Sequence, residues 1–190
     1  MTVQLKEVAL FGAEAPRFGE IKDALHKLGP TGHEAVTAFE SLVAVGIWSK
    51  DENLEILREG VPLEPEPEVL RAAADAARRV WDRTLRVDWT DRDTFSIDPA
   101  STRDVDDAVT CWTEEDRLRV AVHITDVTEF VELDKELDLD ARMRGLSIYL
   151  PGKVIPMLPA AISQGAASLM PGEVRPAMSL IFEARPDGTM

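Results

Sequence analysis

The sequence has only one cysteine, Cys111, among its 190 residues. A single cysteine excludes an internal disulfide framework and is typical of proteins kept in a reducing compartment. Long apolar runs are missing too, because no stretch approaches the roughly 20 apolar residues that a membrane-spanning helix needs. The first 15 residues contain one basic residue, Lys6, and no sustained apolar segment, so we predict no secretory signal. We therefore expect a cytoplasmic protein without a membrane partner.

Basic residues are scarce as well. The chain has 21 Lys and Arg against 35 Asp and Glu, which gives a formal net charge of −14. Since affinity for phosphate comes largely from Lys and Arg, this balance argues against a generally adhesive nucleic-acid binder. It does not exclude an enzyme that admits nucleic acid to a metal-containing site. The 45% hydrophobic and 29% charged residues otherwise indicate a globular protein with one large core or two small ones.

The N-terminal segment shows helical patterns. Residues 18–28 have apolar side chains at helical spacing, and the following Gly29 and Pro30 are typical helix stops. Thr31 and Glu34 are spaced like a capping box, which predicts a second helix from Thr31 to about residue 45.

Two short apolar runs, residues 45–49 and 54–57, follow that second helix and suggest a β-hairpin. Two helices and a hairpin in this order predict a winged helix-turn-helix-like domain over residues 1–60. The second helix would contain no Lys or Arg, so we expect no DNA-specific contact from it. A small packing or protein-contact domain is the open alternative.

A linker and a helix occupy residues 61–86. Three prolines alternate with glutamates at the start of this segment, which is typical of a stiff acidic linker. An alanine-rich helix is predicted from Glu68 to about Leu85. It would end in a basic patch that either meets an RNA backbone or forms a solvated face paired with Asp75 and Asp82. The patch consists of Arg78, Arg79, Arg83 and Arg86.

From residue 87 onward the patterns alternate between strand and helix, so we predict a mixed α+β domain over residues 87–190 with helices against a sheet. His123 falls on the strand face opposite Leu118, Val120, Val122 and Ile124, and we expect it to be structural rather than a ligand. The predicted strands are residues 95–97, 108–112, 118–124 and 177–184, the predicted helices are 137–144 and 157–169, and Pro186-Asp187-Gly188 is a predicted turn.

Four aspartates fall within residues 97–108: Asp98, Asp104, Asp106 and Asp107. Arg103 is the only cation among them. Carboxylates that converge raise one another's pKa unless a cation lies between them, and Mg²⁺ binds carboxylate oxygen together with substrate phosphate and water. Two such ions about 4 Å apart assist phosphoester hydrolysis. A surface loop is the alternative, because Asp is a favoured loop residue.

Residues 98–108 resemble the signature of the RNase II/RNase R family, the RNB-domain 3′-5′ exoribonucleases. Further blocks resemble the family in the same order, which is a far stronger signal than a single motif. Together they extend over about half the chain. These blocks are residues 122–127, 141–145, 147–151, 154–159, 168–171 and 175–179.

The resemblance implies a Mg²⁺-dependent hydrolase, with Mn²⁺ as the alternative ion, that degrades single-stranded RNA from its 3′ end to nucleoside 5′-monophosphates. Asp98, Asp104 and Asp107 would hold the metal, and Asp106 would be needed for cleavage but not for binding. Tyr149, the only tyrosine, is predicted to lie in a loop and would stack on a base near the 3′ end.

The best-known members of the family begin with cold-shock domains, and residues 1–60 do not show that pattern. The family's RNB domain is also longer than residues 87–190. We therefore expect an incomplete catalytic domain whose partner is the remainder of its own RNB domain. Two rival interpretations are a non-catalytic RNA- or protein-binding fragment with a winged-helix module, and a structural acidic domain with a fortuitous aspartate cluster.

Overall fold

The computed structural model describes residues 1–185, and the chain divides into two compact units, Met1–Pro62 and Leu63–Met190. The turn predicted at Pro186-Asp187-Gly188 lies outside the described residues. None of the helices in the described part of the chain is long and apolar enough to cross a membrane.

The first unit is helical. Its core forms where the apolar stripes of α1, α2 and α3 meet, and the fully buried Leu25 and Leu42 lie at its centre. Trp48 packs into the same core from the segment after α3. The helices are α1 (Thr2–Phe11), α2 (Phe18–Leu28), α3 (Glu34–Ala44) and α4 (Leu54–Arg58), with a 3-10 turn at Gly12–Glu14.

The helix predicted over residues 18–28 is confirmed, but the hairpin after α3 is wrong. Met1–Pro62, all of which the structure describes, contains no strand. Leu54–Arg58 is helical because the side chain of Asn53 caps it, accepting a 3.3 Å hydrogen bond from the backbone N–H of Ile56. The apolar pattern of so short a run does not distinguish helix from strand. The winged-helix prediction is therefore not supported.

The capping box predicted for α3 is also wrong. The helix begins at Glu34. His33 occupies the N-cap position, and its side chain makes no capping hydrogen bond. Glu34 instead accepts a hydrogen bond from the N–H of Gly32 at 3.1 Å and contacts Nε2 of His26 at 2.8 Å. The carboxylate thus joins α3 to α2 rather than capping its own helix.

The second unit is α+β, as predicted. The described elements are α5 (Pro67–Ala76), β1 (Thr94–Phe95), β2 (Asp107–Glu114), β3 (Arg117–Thr125), a 3-10 turn (Val127–Glu129), α6 (Glu136–Arg144), β4 (Ile148–Leu150), β5 (Lys153–Ile155), a π-helical turn (Ile162–Ala166) and β6 (Ala177–Ala184). Its core lies between α5, α6 and the π-helical turn, where Phe130 and Ile162 are buried.

Four antiparallel strands form the main sheet in the order β1-β2-β3-β6. Strands β2 and β3 meet in a two-residue turn, Glu115 and Asp116, where both φ angles are positive, as a tight hairpin requires. The predicted strands 108–112, 118–124 and 177–184 are thereby confirmed. A separate two-stranded sheet consists of β4 and β5.

One face of the main sheet is open. Leu118, Val120, Val122 and Ile124 share a face, as predicted, yet Leu118 and Ile124 are 47% and 43% exposed. The strand register places Leu180 beside Val122 on that face, and Leu180 is 60% exposed. Apolar alternation identifies the shared face, but it does not say whether anything covers it.

On the opposite face, a row of polar side chains crosses all four strands. Thr94 contacts Thr110 at 2.7 Å, Thr110 contacts His123 Nε2 at 2.9 Å, and His123 Nδ1 contacts Ser179 at 2.7 Å. His123 is 8% exposed, and the ring of Trp89 meets its ring edge-on at 5.5 Å. Both ring nitrogens therefore have partners, in agreement with the predicted structural role.

Helix α5 ends at Ala76, nine residues before the predicted end at Leu85. Arg86 lies beyond the helix, where its Nη2 donates to Asp126 Oδ2 at 2.6 Å and also to Glu129. The basic patch therefore does not form one helix face. Arg79 pairs with Glu132, whereas Arg78 lies 3.7 Å from Asp75 as predicted.

The helix predicted over residues 157–169 is much shorter than expected, since only Ile162–Ala166 and the two residues before it are helical. In the π-helical turn, the N–H of Ala167 donates to the carbonyl of Ile162, five residues back. The helix predicted over residues 137–144 is confirmed as α6, and Gly145 ends it with a φ of 76°.

Candidate active site

The four aspartates lie between the ends of β1 and β2. Asp98 follows β1 in a loop, Asp104 and Asp106 lie in the irregular segment before β2, and Asp107 is the first residue of β2. Asp104 is half-buried and the other three are exposed. Their side chains are thus presented at one end of the sheet, where solvent and a ligand can reach them.

The backbone of this acidic segment is held by buried hydrogen bonds. Ser168 Oγ accepts from the N–H of Val105 at 3.0 Å and donates to the carbonyl of Arg103 at 2.8 Å. The N–H of Leu169 donates to the carbonyl of Val105 at 2.9 Å. The side chain of Val105 is itself buried, at 5% exposure. Residues 103–105 are therefore fixed by the chain that leaves the π-helical turn.

Thr125, the last residue of β3, holds the end of the segment. Its N–H donates to the carbonyl of Asp106 at 2.9 Å, and its hydroxyl donates to the carbonyl of Ala167. One residue thus joins the acidic segment to both β3 and the chain after the π-helical turn. The aspartates project from a backbone whose polar groups are largely satisfied within the protein.

Mutual repulsion is visible at Asp106. Partial burial of its carboxyl raises its pKa, and the nearby charges of Asp104, Asp107 and Asp98 raise the pKa further, in that order. The charges of these three aspartates therefore act on the carboxyl of Asp106. Such a group favours either protonation or a bound cation.

Tyr149 lies beside the acidic segment. The predicted loop is wrong, because Tyr149 is the central residue of β4 and pairs with Val154 of β5. Its hydroxyl donates a 2.8 Å hydrogen bond to Asp104 Oδ2, which raises the pKa of the phenol. The ring remains 64% exposed, so an aromatic group can stack on it.

The chemistry of these donors fits Mg²⁺, because carboxylate oxygens are the ligands that this hard cation prefers. Within residues 1–185, however, no three or more His, Cys, Asp or Glu side chains are grouped so that they could hold one metal ion. Mg²⁺ commonly takes only one or two protein carboxylates and keeps several waters, with phosphate oxygens supplied by the substrate. That Asp98, Asp104 and Asp107 together hold such an ion therefore stays a prediction.

The residues that support the site are not evident from the sequence. Ser168 and Thr125 both lie within blocks that resemble the family, but no pattern distinguishes them from their neighbours. Nothing in the sequence indicates that the hydroxyl of Ser168 binds the backbone of a segment 65 residues away, or that the backbone N–H of Thr125 binds Asp106. The hydrogen bond between Tyr149 and Asp104 is equally hidden, since the two residues are 45 positions apart.

The region that contains this site matches a known family. A family model described as the RNB domain matches residues 86–190, which is more than half of the chain. The chain therefore belongs to the RNB domain family, and the resemblance noted in the sequence is confirmed.

Three individual relatives are similar to the chain. The human 3′-5′ exoribonuclease HELZ2 is 47% identical over 90 residues, which cover 47% of this chain and 3% of that protein. Ribonuclease R 1 of Lactococcus lactis is 34% identical over 165 residues, covering 85% of this chain and 18% of the relative.

The third is a solved structure of Mycoplasma genitalium RNase R in complex with ribose-methylated single-stranded RNA. It superposes with a TM-score of 0.61 at 29% identity and covers 68% of this chain and 20% of that one. The chain thus spans a fifth or less of the length of each of these relatives.

Proposed function

We propose that the protein to which this chain belongs is a 3′-5′ exoribonuclease that hydrolyses single-stranded RNA to nucleoside 5′-monophosphates with Mg²⁺. The observation that carries the proposal is the set of four aspartates at one end of the sheet, three of whose charges act on Asp106, within the region that matches the RNB domain. The direction of degradation is supported by the similarity to the human 3′-5′ exoribonuclease, and the RNA substrate by the similarity to RNase R in its RNA complex.

The carboxylates divide between two roles. Asp98, Asp104 and Asp107 would hold Mg²⁺, which would supply activation of water and stabilisation of the charge that develops on the phosphate. Asp106 is needed for cleavage rather than for binding. Because neighbouring side chains diverge in extended backbone, Asp106 and Asp107 do not share one role.

The exposed ring of Tyr149 receives a base near the 3′ end of the RNA. Stacking on an aromatic ring suits an enzyme that does not select sequence, because every base offers a π-face, and it contributes about 1–3 kcal/mol per base. The hydroxyl of the same residue holds Asp104. Tyr149 therefore places the terminal nucleotide beside the carboxylates.

The test is an assay of the full-length protein on a single-stranded RNA labelled at its 3′ end. Labelled nucleoside 5′-monophosphate is expected as the first product with Mg²⁺ or Mn²⁺, and no product is expected with EDTA. A DNA oligonucleotide of the same sequence serves as the control and should remain intact. Internal fragments, or no release with either metal ion, would reject the proposal in favour of a different nuclease or a non-catalytic RNA-binding protein.

A further inference from the structure

We infer that Ser168 is a positioning residue that sets the orientation of Asp104 in the active site. Ser168 is fully buried, at 0% exposure, and touches none of the reacting groups of the proposed reaction. It acts through the backbone on either side of Asp104. The expected effect on catalysis rests on the proposed function. The effect of Ser168 on the backbone around Asp104 can be measured without any assay of activity.

The geometry is specific to Asp104. The carbonyl of Arg103 belongs to the peptide unit that enters Asp104, and the N–H of Val105 belongs to the peptide unit that leaves it. A single hydroxyl group binds both, donating to the first at 2.8 Å and accepting from the second at 3.0 Å. Because the orientations of these two peptide units define φ and ψ of Asp104, Ser168 determines where its side chain points.

Ser168 is itself held firmly. Its N–H donates to the carbonyl of Gly165 at 3.3 Å, and its carbonyl accepts from Nε of Arg175 at 3.1 Å. The next residue, Leu169, donates its N–H to Val105. The hydroxyl therefore has little freedom to move away from the acidic segment, and any change at this position is transmitted to Asp104.

Serine fits this position for a chemical reason. A hydroxyl combines one donor with two acceptor lone pairs, so it can bind a carbonyl and an N–H together. Alanine would leave the buried N–H of Val105 and the partly buried carbonyl of Arg103 without this partner, which favours a shift of the backbone on either side of Asp104. A displacement of about 1 Å in a catalytic group can slow a reaction by roughly a hundredfold.

The experiment compares Ser168→Ala with Ser163→Ala in the full-length protein. Ser163 is the matched control, because its hydroxyl also donates to a backbone carbonyl, that of Leu158 at 3.2 Å, but does not contact the acidic segment. Ser168→Ala is expected to lower kcat by about tenfold or more while KM for RNA changes less than about twofold. Ser163→Ala is expected to change neither constant by more than about twofold.

Hydrogen–deuterium exchange of the same proteins gives a readout that does not depend on activity. In Ser168→Ala, exchange should accelerate in a peptide covering residues 103–107 and remain unchanged in the rest of β2 and in β3. If the alanine variant does not fold, Ser168→Cys replaces it, because a thiol keeps a weaker donor and acceptor. That variant should show smaller effects in the same direction.

An unchanged kcat or an unchanged exchange rate at residues 103–107 would overturn the inference. Exchange that accelerates throughout the protein, together with an equal loss of kcat in both serine variants, would also overturn it, because this result would indicate a general structural role. If the parent protein releases no nucleotide at all, the proposed function fails, and the exchange measurement still decides whether Ser168 orients Asp104.

Discussion

The hydroxyl of Tyr149 and the carboxylate of Asp104 are joined by a 2.8 Å hydrogen bond across 45 residues of sequence. The bond connects β4 with the acidic segment before β2. One residue therefore presents an exposed ring to solvent and also binds a carboxylate that we propose as a metal ligand. The two properties can be separated by substitution.

For Tyr149 we predict different outcomes for two variants of the full-length protein. Tyr149→Ala removes the ring and should leave a longer residual RNA, because stacking retains short substrates with about 1–3 kcal/mol per base. Tyr149→Phe keeps the ring and should preserve the length of the residual product. Gel analysis of 5′-labelled RNA measures that length. Identical end products in the alanine variant and the parent would remove Tyr149 from the site.

Asp106→Asn is predicted to abolish cleavage while RNA affinity stays within about threefold of the parent. The reason is that one carboxylate among several contributes to the chemical step, whereas RNA binding is distributed along the strand. Electrophoretic mobility shifts measure affinity, and release of labelled nucleotide measures cleavage. If binding fell in step with cleavage, Asp106 would be a binding residue instead.

His123 is predicted to make the fold sensitive to acid. Burial lowers its pKa from the ordinary value of 6.5, so the folded protein favours the neutral ring. The unfolded chain binds the proton more readily, and stability present above pH 6.5 is therefore lost as the pH falls through the folded-state pKa. Between pH 8 and pH 5, the melting temperature of the full-length protein should fall further for the parent than for His123→Gln. Equal falls would show that His123 does not contribute.

Arg86→Gln is predicted to destabilise the protein by about 2 kcal/mol, because it leaves the carboxylates of Asp126 and Glu129 partly buried without their cation. Their side chains are only 10% and 26% exposed. Arg78→Gln is the control: that side chain is 80% exposed and 3.7 Å from its partner, so a change within about 0.5 kcal/mol is expected. Urea denaturation followed by tryptophan fluorescence measures both. Equal effects would contradict the assigned role of Arg86.

Residues 1–190 expressed alone are predicted to release no nucleotide at any Mg²⁺ concentration and to self-associate. Leu180 and Met178 of β6 are 60% and 65% exposed on the open face of the sheet, and β6 is an edge strand among the described residues. Coexpression of the remaining RNB domain should restore both solubility and cleavage. Processive digestion of RNA by the purified 190-residue chain would show this prediction to be wrong.

Several elements are predictable from the sequence because their signals are local. α2 ends where glycine and proline follow it, and the apolar residues of β3 recur at every second position after a short polar turn. The acidic segment is recognisable because its aspartates are close together in sequence. The repulsion that raises the pKa of Asp106 follows from that same spacing.

The errors arise where tertiary contacts override local pattern. Residues 54–57 are too short for their period to decide between strand and helix, and the cap from Asn53 decides for helix. Arg86, predicted at the end of α5, lies beyond the helix and binds Asp126 and Glu129, which are 40 and 43 positions away. No local pattern contains that information.

The π-helical turn Ile162–Ala166 has a consequence for how this region tolerates insertion and deletion. Each residue added to or removed from a helical segment rotates the downstream chain by about 100°. Loss of one residue from this turn would carry the hydroxyl of Ser168 away from Arg103 and Val105. Length variation in this protein should therefore be absent from residues 162–168 even where amino-acid identity is free to change.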